Sequence, residues 1–233
     1  MATRPIDLNA DLGEEVTDDA ALLAVVTSAN VACGYHAGSA AIMRAVCEEA
    51  ARRDVAIGAQ VSYDDRANFG RVARDVDPDV LRAQVADQVG VLTEAARAAG
   101  LVVSYLKPHG ALYHRTMVDP EQAEAVLAGS GDLPVLGMAG ELLTRAAAAG
   151  RTVLREGFPD RGYGPDGRLL PRDRPGALLH DSDEIAARAV VLAAEVDSVC
   201  VHGDSPTAVD HARACRAALE AAGHRLVGLH RWR

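Results

Sequence analysis

Lys107-Pro108-His109-Gly110 brings an amine and an imidazole within three residues, directly after the apolar run Val102-Val103-Ser104-Tyr105-Leu106. An ammonium stabilises an oxyanion or a phosphate, and an imidazole moves protons near neutral pH. Alternate side chains of an extended chain share a side, so Lys107 and His109 are aimed together, subject to any bend at Pro108. Lys107 is also the one lysine of the chain: of 24 basic residues, 23 are arginine. Arginine does not replace a compact, tunable ammonium, so the exception marks a candidate site.

Three further groups carry similar chemistry. Asp7, Asn9 and Asp11 fall on one face of an apolar run, and three polar residues there are expensive unless they line a cavity or bind something. Neighbouring carboxylates can split their pKa values into an acid and a base. Asn30 and the Gly-flanked His36 lie in Ser28 to Gly38, where glycine permits close backbone approach. His202-Gly203-Asp204 follows Val199-Cys200-Val201 and sets an imidazole near a carboxylate that can orient it. Glu156, Asp160 and Arg161 add an ion-pairing group, while Glu14 and Glu15 are of the kind that favours a helix start. Asp11, His36, His109 and His202 form a candidate metal set, although no two of these histidines have local helical spacing. Cys33 and Cys200 read as small hydrophobes within strands, with a nucleophilic Cys33 as the alternative.

Each polar group closes a short β-rich run, and helical stretches separate the runs. Strands are expected at 6–11, 31–33, 56–61, 102–106, 135–138, 152–154, 199–201 and 226–229. Helices are expected at 40–53, 78–99, 120–127, 141–149, 183–194 and 206–222, with Ser39 as an N-cap and Pro78 in a first turn. About eight strand–helix steps point to an α/β fold with parallel strands closed into a (β/α) barrel, whose active sites lie at the carboxyl ends of the strands. The rival open doubly wound sheet lacks a G-x-G-x-x-G after the first strand. The whole of 1–233 reads as one barrel domain. Residues 158–181, rich in Gly, Pro, Asp and Arg, are expected to form an ordered lid or a partner contact.

A net charge of −9 disfavours nucleic acid, and no Lys/Arg run suggests a membrane surface. Aromatics are only 3%, leaving Ala, Val and Leu to fill the core. Asp7 and Asp11 interrupt any apolar leader, so a cytoplasmic location is expected. The chain has neither a P-loop nor a G-x-S-x-G elbow.

Taken together, Asp7-Leu8-Asn9-Ala10-Asp11-Leu12-Gly13-Glu14, Thr27 to Gly38, Ala56-Ile57-Gly58-Ala59, Lys107 to Tyr113, Pro171 to Asp181 and Cys200 to Asp204 resemble the LamB/YcsF family. That family supplies the A-type subunit of a bacterial ATP-dependent 5-oxoprolinase. The resemblance implies a barrel of the glycoside hydrolase/deacetylase type, working with two partner subunits of B and C type to turn 5-oxo-L-proline, ATP and water into L-glutamate, ADP and phosphate. ATP would be bound largely by the partners, and ring opening would fall to the barrel. Gln60 stands where members often carry His, which argues against an essential role there. Ser39 replaces a frequent Asp, and the segment after Glu14 is short, leaving the pocket mouth more open.

On this reading Asp11, His109, His202 and Asp204 supply acid–base work, and Lys107 stabilises the oxyanion or a phosphorylated intermediate. Asn9, Asn30, His36, Asp160 and Arg161 hold the substrate. A divalent metal stays open as a cofactor. The alternatives are a metal-dependent deacetylase or sugar hydrolase acting alone, and a non-catalytic subunit that only binds the lactam.

Overall fold

The computed structural model describes residues 4–232. Seven parallel strands close into a ring: β1 (Pro5–Leu12), β2 (Ser28–Ala32), β3 (Ala56–Val61), β4 (Val103–Pro108), β5 (Val135–Gly137), β6 (Val153–Gly157) and β7 (Ser198–Val201). β1 joins the two ends, pairing Asp7 with Ser198 on one side and Asp11 with Asn30 on the other. The ring holds seven strands where the sequence suggested about eight. The last run forms a two-residue β8 (Arg225–Leu226) that pairs with Pro5 and Ile6 at the start of β1, outside the closure. Two residues are too few to span a barrel wall, and the 3₁₀ turn Leu229–Arg231 follows at once.

Among the described residues eight helices surround the ring: α1 (Asp19–Leu23), α2 (Ala40–Arg53), α3 (Pro78–Ala98), α4 (Gly110–Thr116), α5 (Pro120–Gly129), α6 (Glu141–Ala148), α7 (Ser182–Leu192) and α8 (Ala208–Ala221). The starts of α2, α3, α5 and α7 are capped by Ser39, Asp77, Asp119 and Asp181, whose side chains accept first-turn N–H groups. Both α1 and α4 are too short for the 3.6-residue repeat to reveal them.

Alternation along β1 sorts the two sides of the wall. Ile6, Leu8, Ala10 and Leu12 join the main apolar cluster with the helices, while Asp7, Asn9 and Asp11 make their side-chain hydrogen bonds to residues in or next to other strands. These form a ladder. Asp7 accepts from Thr27 Oγ1 (2.7 Å), Ser28 Oγ (2.6 Å) and Ser198; Asn9 bonds Ser198 (2.5 Å) and Asn30 (2.6 Å); Asn30 donates to Asp11 (2.8 Å). Asn9 thus separates the carboxylates that the sequence suggested as a pair. Tyr105 crosses to Asn30 Oδ1 (2.7 Å) by lying against Gly58, where a Cβ would fall 2.2 Å from its ring. Around Tyr105, Leu136, Leu154 and Leu229 form a small apolar cluster, tied down where Leu229 N donates to Ser28 Oγ.

Candidate active site

At the carboxyl ends of the strands a cavity of about 350 Å³ opens. It is lined by Asp11 of β1, Lys107 of β4, Phe158 just past β6, His109, His202, and residues 169–173 of the loop 158–181. Lys107 Nζ donates to Asp11 Oδ1 (3.0 Å) and Cys200 Sγ (3.1 Å), with Glu156 Oε2 at 3.3 Å and the Phe158 ring 5.3 Å away. Burial alone would drive the proton off Lys107; Asp11, Cys200 and Glu156 more than reverse this and hold the ammonium well above its ordinary range. Burial likewise pushes Asp11 up, but Lys107, His202 and His109 pull it well below the usual carboxylate range. Glu156 stays raised, because burial outweighs its attraction to Lys107. The result is one fixed cation among acids, sealed at 3% exposure.

His202 gives its ring Nδ1–H to Asp160 Oδ2 at 2.9 Å, and its main-chain N–H donates to the same oxygen at 3.0 Å. Burial raises Asp160, but His202 and Arg161 bring it below its ordinary value. In the neutral imidazole the second ring nitrogen, Nε2, is then an acceptor, which is what a general base needs. The His202–Asp204 unit expected from the sequence does not form. Asp204 instead takes Arg71 and Arg172 (3.1 Å), tying together loops around the mouth.

Other candidates also change place. Asn9 and Asn30 are sealed in the ladder beneath the cavity rather than open to a substrate. Arg161 spends its guanidinium on the carbonyls of Ala177 (3.0 Å) and Leu170 (2.7 Å), bracing 158–181 as an ordered flap with short bridges at Arg161–Leu178 and Tyr163–Leu169. His109 has both ring nitrogens committed, Nε2 to Phe69 O (3.1 Å) and Nδ1 to Gln60 Nε2 (3.0 Å), which removes it from proton transfer to a substrate in this arrangement. Cys33 is no nucleophile: burial pushes its thiol up to about 12.

Sequence reasoning gave Glu14, Glu156 and Cys200 other roles: a helix-start acid, part of an ion-pairing group and a small strand hydrophobe. The expected metal set of Asp11, His36, His109 and His202 does not assemble. His36 and His109 gather instead with Glu14, one ligand atom from each lying within 4.8 Å of the others. Gln60, set aside earlier, donates to Glu14 Oε1 (2.9 Å) at the centre of that group. A polar residue two positions beyond Leu12 was the available signal for Glu14.

The model of the LamB/YcsF family matches residues 6–233. The chain belongs to the LamB/YcsF family. Relatives named as the A-type subunit of 5-oxoprolinase include those of Streptomyces griseus (52% identical, spanning 94% of this chain and 97% of the relative), Streptomyces coelicolor (53%, same shares) and Mycobacterium avium (50%, 94% and 96%). The crystal structure of the lactam utilization protein from Thermus thermophilus superposes with a TM-score of 0.89 at 34% identity, covering 97% of this chain and all of that one. A peptidoglycan N-acetylglucosamine deacetylase shares the LamB/YcsF barrel at a TM-score of 0.57 and 14% identity, covering 97% of this chain and 86% of its own, a likeness of fold alone.

Proposed function

We propose that this LamB/YcsF chain is the A-type subunit of an ATP-dependent 5-oxoprolinase, opening the ring of 5-oxo-L-proline to give L-glutamate. The observation that carries this reading is 52% identity, along 94% of the chain, to a relative of that name. The cavity supports it by its size and by its charges: about 350 Å³ lies at the small end of ligand pockets, fitting a five-membered lactam with a phosphoryl group.

A lactam resists hydrolysis, so the reaction starts with transfer of the γ-phosphoryl group of ATP to the amide oxygen. Among the described residues there is no phosphate-cradling loop of the P-loop kind, and ATP is assigned to partner subunits of B and C type. His202, oriented by Asp160, takes a proton from water as the water oxygen bonds to C5. The ring nitrogen gains a proton and the C5–N bond breaks, leaving an acyl phosphate. A second water displaces phosphate to give glutamate. The Lys107 ammonium balances the charge that gathers on the phosphoryl and C5 oxygens, and Asp11 and Glu156 hold it there. The cytoplasm, where ATP is at hand, is the proposed location; no helix among the described residues is long and apolar enough to cross a membrane.

The test is glutamate release from 5-oxoproline with and without ATP and the two partner subunits. Release that needs ATP, this chain and its partners is expected. Release without ATP, or none from the complete set, overturns the reading. Full activity from a chain lacking both Lys107 and His202 side chains would leave it a binding subunit only.

A further inference from the structure

Beside the cavity, four consecutive strands each deliver one polar residue to a single buried point: Glu14 after β1, His36 after β2, Gln60 within β3 and His109 after β4. The hydrogen bonds fix what each presents there. Ser62 Oγ donates to Tyr63 O (2.9 Å), so it accepts from His36 Nδ1 (3.0 Å), and the His36 proton is on Nδ1. In the neutral imidazole its Nε2 then carries a bare lone pair. That atom is buried with no hydrogen-bond partner, in a residue 1% exposed. His109 donates from Nε2 to Phe69 O (3.1 Å), so its Nδ1 also turns a lone pair inward.

Both lone pairs face a third acceptor. Glu14 Oε1 lies 3.6 Å from His36 Nε2 and 3.5 Å from His109 Nδ1. Three acceptors converge there, and the one donor among them, Gln60 Nε2, serves Glu14 and His109 but leaves His36 Nε2 without a partner; a cation would serve all three. Tetrahedral ligands about 2.0–2.1 Å from a zinc ion stand roughly 3.3–3.4 Å apart, close to these separations. Gln60 now supplies a partial substitute, its Nε2 donating to Glu14 and His109 while its Oε1 is buried and unpartnered. Half a turn of the carboxamide brings Oε1 to the same point as a fourth ligand. One ion therefore accounts for both orphaned atoms, His36 Nε2 and Gln60 Oε1.

We propose that Glu14, His36, His109 and Gln60 bind one divalent cation of the zinc class, two imidazoles and a carboxylate being donors suited to it. The imidazoles stack 3.9 Å apart and 12° from parallel. Since their lone pairs lie in the ring planes, seating the ion splays the rings. Metal binding here is tested apart from the lactam reaction, although His109 also lines the cavity.

The experiment uses the full chain without a histidine tag, stripped by chelator and titrated with zinc by calorimetry and elemental analysis. One zinc per chain is expected. Glu14→Gln and His36→Gln lose it, Ser62→Ala weakens it about tenfold by freeing the His36 ring, and Gln60→His tightens it. As a check free of substitutions, cobalt(II) is added to the unaltered chain and proton NMR is recorded. Two imidazole N–H signals, from His36 Nδ1 and His109 Nε2, should move far outside the normal range. A folded unaltered chain that binds no zinc overturns the proposal. So does zinc that both ligand variants retain, or a cobalt form with no shifted imidazole N–H.

Discussion

One oxygen of Asp160 accepts from His202 twice, from the ring at 2.9 Å and from the main chain at 3.0 Å. The double contact fixes the tautomer and the ring angle together. An asparagine at 160 can present an N–H to the ring instead, inviting the wrong tautomer. Asp160→Asn should therefore cut ATP-dependent glutamate release about 100-fold or more, as His202→Gln should. Asp204→Asn breaks only the partly exposed pairs with Arg71 and Arg172 and should cost less than about fivefold in the same assay.

Lys107→Ala removes the one cation among buried acids. Turnover should fall at least about 100-fold. Urea denaturation at neutral pH should show a loss of about 3–5 kcal/mol, because Asp11 and Glu156 are left buried without their partner. The lysine also shapes the acid limb. Asp11 is held below its ordinary range, so its contribution is present above about pH 4 and disappears as pH falls further. In Lys107→Ala that acid-labile contribution should be smaller.

How these groups would meet was only partly written in the chain. Period-two alternation placed Asp7, Asn9 and Asp11 on one face, and strand ends marked Lys107 and His202. Neighbours around the ring are another matter, because they depend on how the sheet closes. Asp160 reaches His202 since β6 lies beside β7, while sequence adjacency favoured Asp204. Glu156 sits within a strand and read only as part of an ion-pairing group with Asp160 and Arg161. Only the closed ring aims it at the ammonium of Lys107, on a strand far off in the sequence. Eight apolar runs were visible, yet the length needed to enter the wall excluded the last of them.

Asp7 predicts an opposite pH response. Burial outweighs the hydrogen bonds from Ser198, Ser28 and Thr27, lifting its pKa from 3.8 to about 6. Between these values the folded chain holds a proton that the unfolded chain has lost, so stability falls as pH rises across that window. The full effect is about 3 kcal/mol. In Asp7→Asn the Asp7 share of this slope should vanish, as measured by urea midpoints taken stepwise from pH 4 to 7.

Arg161→Ala should loosen the flap without opening the barrel. Its bonds to Ala177 and Leu170 pin two strands of the loop from within. Limited proteolysis should then cut within residues 162–178 at a rate well above that of the unaltered chain, and KM for the lactam should rise more than kcat falls. Unchanged cleavage would mean that the short bridges at Arg161–Leu178 and Tyr163–Leu169 hold the loop alone.

A protein with a single ε-amino group, shut inside its own wall, is a built-in reporter. Reagents that acylate lysine side chains find none on the outer surface, so a label at position 107 records a reagent that has passed the cavity mouth or met an opened ring. The yield of that label over time would report access to this one amine, without a dye or an engineered probe.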